Sequence, residues 1–340
     1  MLGRTVKFLV ASDKFRGSLC ALCASEAVRR GLMSAGRSAT AIPLCDGGEG
    51  TVANVARSTG GSMVEWDLPD AWGRPTRARG VRLSDHAVLV EAADVLGIHK
   101  APPGSSPMTA SSAALGALVR AAERYSHGSV VLAVGGTATV DGGSGLLESL
   151  GWRLDCDLLV AADVAIPYEE APRRFAIQKG ARPSDVPVLE QRLIHTRNEI
   201  CNRLGMDPRV VPHAGAGGGV AGALGSLGAK VKSGFEVFSG LVHLQERISA
   251  AQAIVTGEGR LDYGTLLGKG PGQIAKLAQA AGIPVWMVVG NNSLRVTDLR
   301  SSPMADVRVL SLRDLKGAEN TFRAAARLCE LAGRLIGAET

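Results

Sequence analysis

The sequence predicts an α/β protein in which a doubly wound parallel sheet is interrupted by an inserted domain of different architecture. Strand and helix patterns alternate at the start of the 340-residue chain and again over its last third. Between these regions, three consecutive short strand patterns with no helix between them indicate antiparallel pairing. We therefore place a discontinuous domain at 1–62 and 250–340 and a mixed α/β domain at 63–249.

The elements of the discontinuous domain are predicted from short apolar runs, typical of buried strands, and from apolar residues at helical spacing. In chain order they are strand 8–11, helix 19–33 with Ser18 as its N-cap, strand 41–45, helix 51–58, and then, after the insertion, strand 253–256, helix 272–281, strands 285–289 and 307–310, and helix 318–336. The same patterns predict the inserted domain as strands 63–67, 77–83 and 87–92, helix 110–125, strand 130–134, helix 146–150, strand 158–162, helix 186–204 and a small-residue helix within 213–225.

Composition excludes several classes of protein. Hydrophobic residues make up 46% and charged residues 21%, which supports a substantial core and excludes global disorder. The net charge of +6 is not concentrated in a basic run with interleaved aromatic residues, so we expect no nucleic-acid partner. No apolar stretch reaches membrane-spanning length and no signal-peptide pattern is present, so we expect no membrane partner and a cytoplasmic protein.

Six cysteines are present, and they do not follow the spacing of a zinc site. Cys20 and Cys23 form a C-x-x-C at the start of an Ala-rich helical pattern, but no second Cys or His pair accompanies it. We interpret both as small apolar helix residues in a protein of a reducing compartment.

Two copies of Asp-Gly-Gly-x-Gly, at 46–50 and 141–145, carry the strongest functional signal. Each follows a strand-like run and leads into a helical pattern, so the glycines let a ligand approach main-chain N–H groups and the helix start favours an anion. An Asp would repel a bare phosphate, so we expect Asp46 and Asp141 to act on a divalent cation or a hydroxyl proton. Magnesium takes one or two carboxylates together with phosphate oxygens and waters. The structural alternative is an Asx turn.

Other loops carry related signals. The segment 135–139, Gly-Gly-Thr-Ala-Thr, offers consecutive N–H groups and two hydroxyls, which suits a phosphate oxygen. Asp163 ends an apolar strand and is either a general base for a substrate hydroxyl or a turn residue. Lys14 and Arg16 lie where the first strand meets its helix, the ligand edge of an open α/β sheet, and are candidates to bind an anion.

Two glycine-rich segments match known nucleotide motifs incompletely. Residues 217–222 have the spacing of a dinucleotide fingerprint, but the strand pattern before them is poor. Residues 264–270 resemble a P-loop that is one residue short and has Gly270 in place of the Ser or Thr that binds magnesium.

In this order, these segments resemble the type 1 glycerate kinase family. The matching stretches span nearly the whole chain and are SDKFRGS (12–18), PLCDGGEGTV (43–52), GGTATVDGGSG (135–145), ADVAIP (162–167), QKGA (178–181), HAGAGGGVAGAL (213–224) and TGEGRLDYGTLLGK (256–269). The resemblance implies a kinase that uses ATP and magnesium to phosphorylate D-glycerate, usually giving 2-phosphoglycerate. It also implies two α/β domains, of which the discontinuous one is flavodoxin-like.

The resemblance and the residue chemistry together suggest a set of candidate roles. Phosphoryl transfer needs mainly positioning and neutralisation of charge. The candidates are Gly135, Gly136, Thr137, Thr139, Gly142, Gly143 and Lys269 for the nucleotide phosphates, Asp46 and Asp141 for magnesium, Asp163 or Asp262 as acceptor of the hydroxyl proton, Lys14 with Arg16 for the substrate carboxylate, and Ser18, Lys179 and Arg260 for further substrate contacts.

The sequence departs from the family pattern at three places, and these leave alternatives open. The connection around 152–157 is short, Ile166 stands where the family has Asn, and Arg16 stands where Lys is commoner. The substrate is therefore either glycerate or a different small hydroxy acid. A catalytically reduced relative that binds a nucleotide or metabolite without turnover is the rival interpretation, and a nicotinamide enzyme, supported only by 217–222, is a third. Monomer and homodimer both remain open.

Overall fold

The computed structural model describes residues 7–15, 17–83, 86–126, 128–302, 304–313 and 322–340. The chain divides by its internal contacts into two compact units. The flavodoxin-like unit comprises Met1–Cys45 and Val242–Thr340, and the inserted unit comprises Asp46–Leu241. The α/β class and the discontinuous organisation predicted from the sequence are confirmed.

The strands of the described residues are β1 Lys7–Ser12, β2 Ser38–Ala41, β3 Ser62–Pro69, β4 Pro75–Arg82, β5 Val88–Glu91, β6 Ser129–Ala133, β7 Asp157–Ala162, β8 Lys230–Ser233, β9 Ala253–Leu261, β10 Val285–Asn292 and β11 Arg308–Ser311. The helices are α1 Ala21–Ser34, α2 Thr51–Thr59, α3 Ala93–Leu96, α4 Ala113–Ser126, α5 Ser144–Ser149, α6 Ala171–Phe175, α7 Val186–Leu204, α8 Val220–Ser226, α9 Gly234–Leu241, α10 Leu244–Ser249, α11 Tyr263–Leu266, α12 Gly270–Ala280, α13 Val296–Arg300 and α14 Phe322–Glu339. None of these described helices has both the length and the apolar character that crossing a bilayer requires.

The flavodoxin-like unit contains a five-stranded parallel sheet in the order β2-β1-β9-β10-β11. This is the flavodoxin strand order, and its topological switch point lies between β1 and β9. Phe8, Val255 and Trp286 on the sheet belong to one buried cluster with residues of α1 and α14. Ligands of such sheets bind beyond the carboxyl ends of the strands at the switch point, so the residues that follow β1 and those at the end of β9 are in position for a site.

The inserted unit contains a six-stranded mixed sheet in the order β3-β4-β5-β6-β7-β8. β3, β4 and β5 pair antiparallel, as predicted, and β5 to β8 pair parallel. Val90, Leu132 and Val160 of the sheet form a buried core with Leu115 and Leu118 of α4. Because β5 to β8 are parallel, their carboxyl ends share one edge of the sheet, where loop 134–143 and Asp163 begin.

The start of α1 differs from the prediction. The helix begins at Ala21, and Cys20 rather than Ser18 is its N-cap, because Cys20 Sγ accepts a hydrogen bond of 3.1 Å from the Cys23 N–H. Ser18 Oγ instead donates a hydrogen bond of 3.1 Å to the Phe15 carbonyl. This bond lies inside a turn before the helix, which backbone pairing between Phe15 and Leu19 closes. The interpretation of Cys20 as an apolar helix residue is wrong, since its side chain is exposed.

Other boundaries differ because pairing across the sheet overrides the local pattern. β2 spans Ser38–Ala41, where it pairs with β1, and so ends where a strand was predicted to begin. β9 continues past residue 256 to Leu261 because its pairing with β10 continues. β8 was not predicted, since its KVKS sequence is that of a polar edge strand.

The division between the units falls after Cys45, whereas the sequence placed it near residue 62. α2 belongs to the inserted unit, where the Val52 N–H donates to the buried Glu91 carboxylate of β5 at 3.0 Å. The loop 46–50 therefore also belongs to the inserted unit.

Candidate functional site

The inserted unit brings the first Asp-Gly-Gly-x-Gly loop against the ends of two strands. The Gly135 N–H, just beyond β6, donates to the Gly47 carbonyl at 2.9 Å. A Cβ placed on Gly135 would lie 2.7 Å from Gly48 Cα and 2.8 Å from Asp163 Oδ2, so the loop, Gly135 and the Asp163 carboxylate are in direct contact. Only glycine fits at this crowded point. Three segments that the sequence singled out separately are thus one cluster.

Two carboxylates of the 46–50 loop are held differently. Asp46 Oδ1 accepts a hydrogen bond of 3.1 Å from the Gly48 N–H, which is the Asx turn that the sequence offered as a structural alternative. Glu49 is exposed, and its Oε2 lies 3.5 Å from His99 Nδ1. Gly136, at φ +74°, would place a Cβ 3.4 Å from the Glu49 Cβ. The loop therefore presents carboxylate oxygens beside the glycines that follow β6.

Asp141, in the second copy of the motif, has a clear structural task. Its Oδ2 accepts hydrogen bonds from the Ser112 N–H at 2.9 Å and the Ser112 hydroxyl at 2.8 Å, and its Oδ1 accepts one of 3.1 Å from the Gly143 N–H. The Ser112 hydroxyl in turn accepts from the Leu146 N–H of α5. The carboxylate thus fastens the start of α4 to the start of α5.

Gly142 and Gly143 are buried and need to be glycine for packing. A Cβ on Gly142 would lie 2.3 Å from the Tyr168 hydroxyl oxygen, and one on Gly143 would lie 2.6 Å from the Ala223 Cβ. Their positive φ angles, +68° and +83°, also favour glycine. The nucleotide role predicted for these two residues stays a prediction, and their packing already accounts for their identity.

Lys179 projects into the loop that follows β6. Its Nζ donates to the Thr139 carbonyl at 2.8 Å and to the Thr137 hydroxyl at 3.3 Å. Burial lowers the pKa of Lys179 to about 8, although the carboxylates of Asp163 and Asp141 act to raise it. The Thr139 hydroxyl is buried and has no hydrogen-bond partner within the protein. The cluster therefore combines a cation, a carboxylate and an unsatisfied hydroxyl.

In the flavodoxin-like unit, the loop after β1 lies at the switch point. The Asp13 N–H donates to the Gly257 carbonyl of β9 at 2.8 Å, and the Lys14 N–H donates to Asp13 Oδ1 at 2.6 Å. The predicted Arg16 lies outside the described residues. Ser18 is half-buried in the turn described above, beside the start of α1.

Glu258 is the acidic residue that the sequence interpretation missed. It lies near the carboxyl end of β9, is 5% exposed, and accepts a short hydrogen bond from the Thr265 hydroxyl. Burial raises the pKa of Glu258 to about 7; the Thr265 hydrogen bond and the Lys269 charge oppose this, and the charges of Asp13 and Asp262 add to it. The sequence signal that could have identified Glu258 is an acid shortly after the apolar run 253–256. A carboxyl group with a pKa near neutrality is suited to proton transfer.

Asp262, Lys269 and Arg260 have their own partners nearby. Lys269 Nζ donates to Asp262 Oδ1 at 2.8 Å, and Lys269 is the N-cap residue of α12. Partial burial acts to raise the pKa of Asp262, but the hydrogen bond and charge of Lys269 outweigh it, so that the pKa is lowered. Arg260 is exposed and donates from Nε to the Ser293 hydroxyl at 2.9 Å. Asp262 is therefore a weaker proton acceptor than Glu258.

Metal ligation must rest on few protein donors. Among the residues that the structure describes, no group of three or more His, Cys, Asp or Glu side chains is arranged to hold a metal ion. Magnesium does not need one, because it keeps waters and takes one or two carboxylates plus substrate phosphates. The carboxylates at 46–50 fit that donor chemistry.

Comparison with known proteins assigns the chain to a family. The sequence model of the glycerate kinase family matches residues 8–157 and 153–338. The chain belongs to the glycerate kinase family. The resemblance seen in its motifs is confirmed, and family membership makes it a kinase with a small-molecule substrate.

Curated relatives and a solved structure agree with this assignment. The chain is 31% identical over 327 residues to the glycerate kinase of Bacillus subtilis strain 168, covering 85% of this chain and 86% of that protein. It is 29% identical over 325 residues to the glycerate 2-kinase of Escherichia coli K12, covering 84% and 85%. A crystal structure named "putative glycerate kinase 2", from Salmonella typhimurium LT2, superposes with a TM-score of 0.80 at 26% identity, covering 99% of this chain and 98% of that chain.

Ile166 has a structural explanation, and the short connection lies beyond a described turn. The two segments matched to the family overlap at 153–157, between α5 and β7, just after Gly151 and Trp152, which have φ angles of +62° and +59°. Ile166 packs with the apolar cluster around Tyr168, and a Cβ on Gly215 would lie 2.7 Å from Ile166 Cγ1. Ile166 thus contributes to the core and offers a substrate no polar atom.

The segment 217–222 lacks the context of a dinucleotide fingerprint. Turns and a short 3-10 helix, Ala216–Gly218, precede α8, and no strand leads into it. A Cβ on Gly218 would lie 2.0 Å from the Thr139 carbonyl oxygen, so this glycine packs against the loop after β6. Close packing within the unit explains the glycines.

Proposed function

We propose that the protein transfers the γ-phosphoryl group of ATP to D-glycerate and releases 2-phosphoglycerate. Support comes from the family and from the activities for which the two bacterial relatives are named. The observation that carries the proposal is the contact cluster of the inserted unit, in which the 46–50 loop, Gly135 and Asp163 meet beside Lys179. Such a cluster has the cation, the carboxylates and the close backbone approach that phosphoryl transfer uses.

In the inserted unit, Gly135, Gly136 and Thr137 would line the nucleotide phosphates, with Lys179 as the nearby cation. Thr139 is retained because its buried hydroxyl has no partner within the protein. We assign magnesium to Asp46, on the loop that also presents the exposed Glu49. Asp141 is better described as a positioning residue, because its oxygens hold Ser112 and Gly143. When bound, magnesium would neutralise the charge of the triphosphate.

In the flavodoxin-like unit, Lys14 and Arg16 would hold the glycerate carboxylate, with Ser18 and Arg260 as further contacts. Lys269 would contact phosphate from the N-cap of α12. The candidates to accept the hydroxyl proton are Asp163 and Glu258; Asp262 ranks below them because its ion pair with Lys269 lowers its pKa. We further expect the protein to act in the reducing cytoplasm.

The decisive experiment measures ADP release from ATP and magnesium with a panel of small hydroxy acids, followed by phosphorus NMR of the product. D-glycerate should give the highest kcat/KM, and the phosphoryl group should be on the 2-oxygen. Asp163→Asn and Glu258→Gln identify the proton acceptor, since its replacement lowers kcat and abolishes the acidic limb of the pH–rate profile. Asp67→Asn, at an exposed carboxylate of β3, is the matched control and should behave as wild type.

A second candidate function is supported by Ile166 and the short connection, which lie where the resemblance to the family leads us to expect substrate contacts. The chain would then bind a nucleotide or metabolite without turnover. Tight ATP binding in calorimetry, with no ADP release for any hydroxy acid tested, would favour this function and refute the kinase.

A further inference from the structure

Cys20 and Cys23 lie together at the start of α1, and their arrangement differs from that of the other cysteines. Their sulfur atoms are 2.6 Å apart, and Cys20 Sγ also accepts the Cys23 N–H at 3.1 Å. Cys20 is the N-cap, with extended backbone angles of φ −70° and ψ 159°, and Cys23 is the third residue of the 14-residue helix. The extended N-cap conformation directs Cys20 Sγ back over the first turn of the helix, where it contacts Cys23 Sγ.

All six cysteines are among the residues that the structure describes. Cys45 and Cys329 are buried, and Cys156 and Cys201 are half-buried. Only Cys20 is exposed, and only Cys20 and Cys23 have their sulfurs in contact. Residues three apart on a helical turn are neighbours, a spacing that an intramolecular disulfide can bridge with little backbone movement.

The two thiols are not equivalent, and the difference suits thiol–disulfide exchange. Cys20 is exposed at the N-cap of a helix, so a soluble disulfide can reach it. Burial raises the pKa of Cys23 to about 11, and the hydrogen bond and charge of Cys20 raise it further. Cys20 is thus placed to react first with a soluble partner and Cys23 to react second, with Cys20.

We propose that Cys20 and Cys23 form a redox-active dithiol that closes to a disulfide by exchange with a small-molecule disulfide such as glutathione disulfide. The Cys20 thiolate attacks one sulfur of the oxidant, forms a mixed disulfide and releases one glutathione thiolate. Cys23 loses its proton, and its thiolate attacks Cys20 Sγ, forming the protein disulfide and releasing the second glutathione thiolate. Two protein thiols are oxidised, and one disulfide is reduced to two thiols that take up the two protons.

The test uses the full chain and does not depend on its kinase activity. Reduced protein is equilibrated anaerobically with mixtures of glutathione and its disulfide, the free thiols are alkylated, and intact mass and peptide mapping are measured. Two of the six thiols should become protected, both in the peptide that holds residues 20–23, with a loss of two hydrogen atoms. Complete alkylation of Cys20 and Cys23 in the most oxidising mixture would overturn the proposal.

Variants test the order of the two steps. Cys23→Ser should stop at the mixed disulfide and carry one glutathione on Cys20, whereas Cys20→Ser should carry none on Cys23. Cys201→Ser, at a half-buried cysteine elsewhere, should oxidise like wild type. Circular dichroism checks that each variant folds. Equal glutathione incorporation at Cys20, Cys156 and Cys201 would mean general thiol oxidation, and it would refute a specific dithiol.

Discussion

Replacing Glu258 by Gln should remove a pH-dependent loss of stability that the wild-type chain carries. Burial raises the pKa of Glu258 from its ordinary 4.5 to about 7, so between these values the folded chain holds a proton that the unfolded chain has released. The stabilisation is complete below pH 4.5 and is lost as the pH rises through 7. Gln has the shape of the protonated acid and does not ionise. From pH 5 to pH 8, the free energy of unfolding of Glu258→Gln should rise by about 2.5 kcal/mol relative to wild type.

Urea denaturation followed by circular dichroism, repeated across this pH range, measures the difference. Glu246→Gln is the matched control, because it removes a solvent-exposed carboxylate from the same unit. The essential observation is how the difference in free energy of unfolding between Glu258→Gln and wild type changes with pH. Any effect of the substitution on packing is constant with pH and therefore cancels from this change. Parallel stability curves for wild type and Glu258→Gln from pH 5 to pH 8 would refute the reasoning.

Three further predictions concern the inserted unit. Because burial lowers the pKa of Lys179 to about 8, its charged fraction falls about tenfold between pH 7 and pH 9. KM for ATP in steady-state assays should rise correspondingly, and Lys179→Met should show a high KM for ATP that no longer follows this titration. Asp163→Asn should lower kcat about 10²–10⁴-fold if Asp163 is the proton acceptor, and ADP release at the wild-type rate would contradict that role. Gly218→Ala should lower the free energy of unfolding by at least about 2 kcal/mol in urea melts, because its Cβ would meet the Thr139 carbonyl. Gly228→Ala, with the same sign of φ but open space around it, should cost only about 1 kcal/mol.

Much of the candidate site was accessible from the sequence because its signals are local. An acid or a pair of glycines after an apolar run predicts a loop at a strand end. The segment 46–50 follows β2 only after residues 42–45, and 135–139 and Asp163 lie just beyond β6 and β7. Parallel pairing of β6 and β7 then brings the last two to one edge. The contact of Gly135 with Gly47 and Gly48 could not be predicted, since it depends on how the 46–50 loop packs against that edge.

Burial decided the cases that the sequence interpretation missed or described differently. Glu258 and Asp262 have the same type of functional group, but one carboxyl group is enclosed at the end of β9 and the other pairs with Lys269. Their pKa values therefore move in opposite directions. Cys20 was interpreted as a small apolar residue at the start of a helical pattern, yet the closed turn before α1 makes it an exposed N-cap.

The amino-acid sequence by itself determined the α/β class, the interruption of one sheet by an inserted unit, and the family, because each depends on patterns between near neighbours in the chain. The tertiary structure alone decided which acids are buried and which glycines are needed for packing rather than for a ligand. Those properties depend on distances between segments far apart in sequence and on their exclusion from water, which no local pattern encodes.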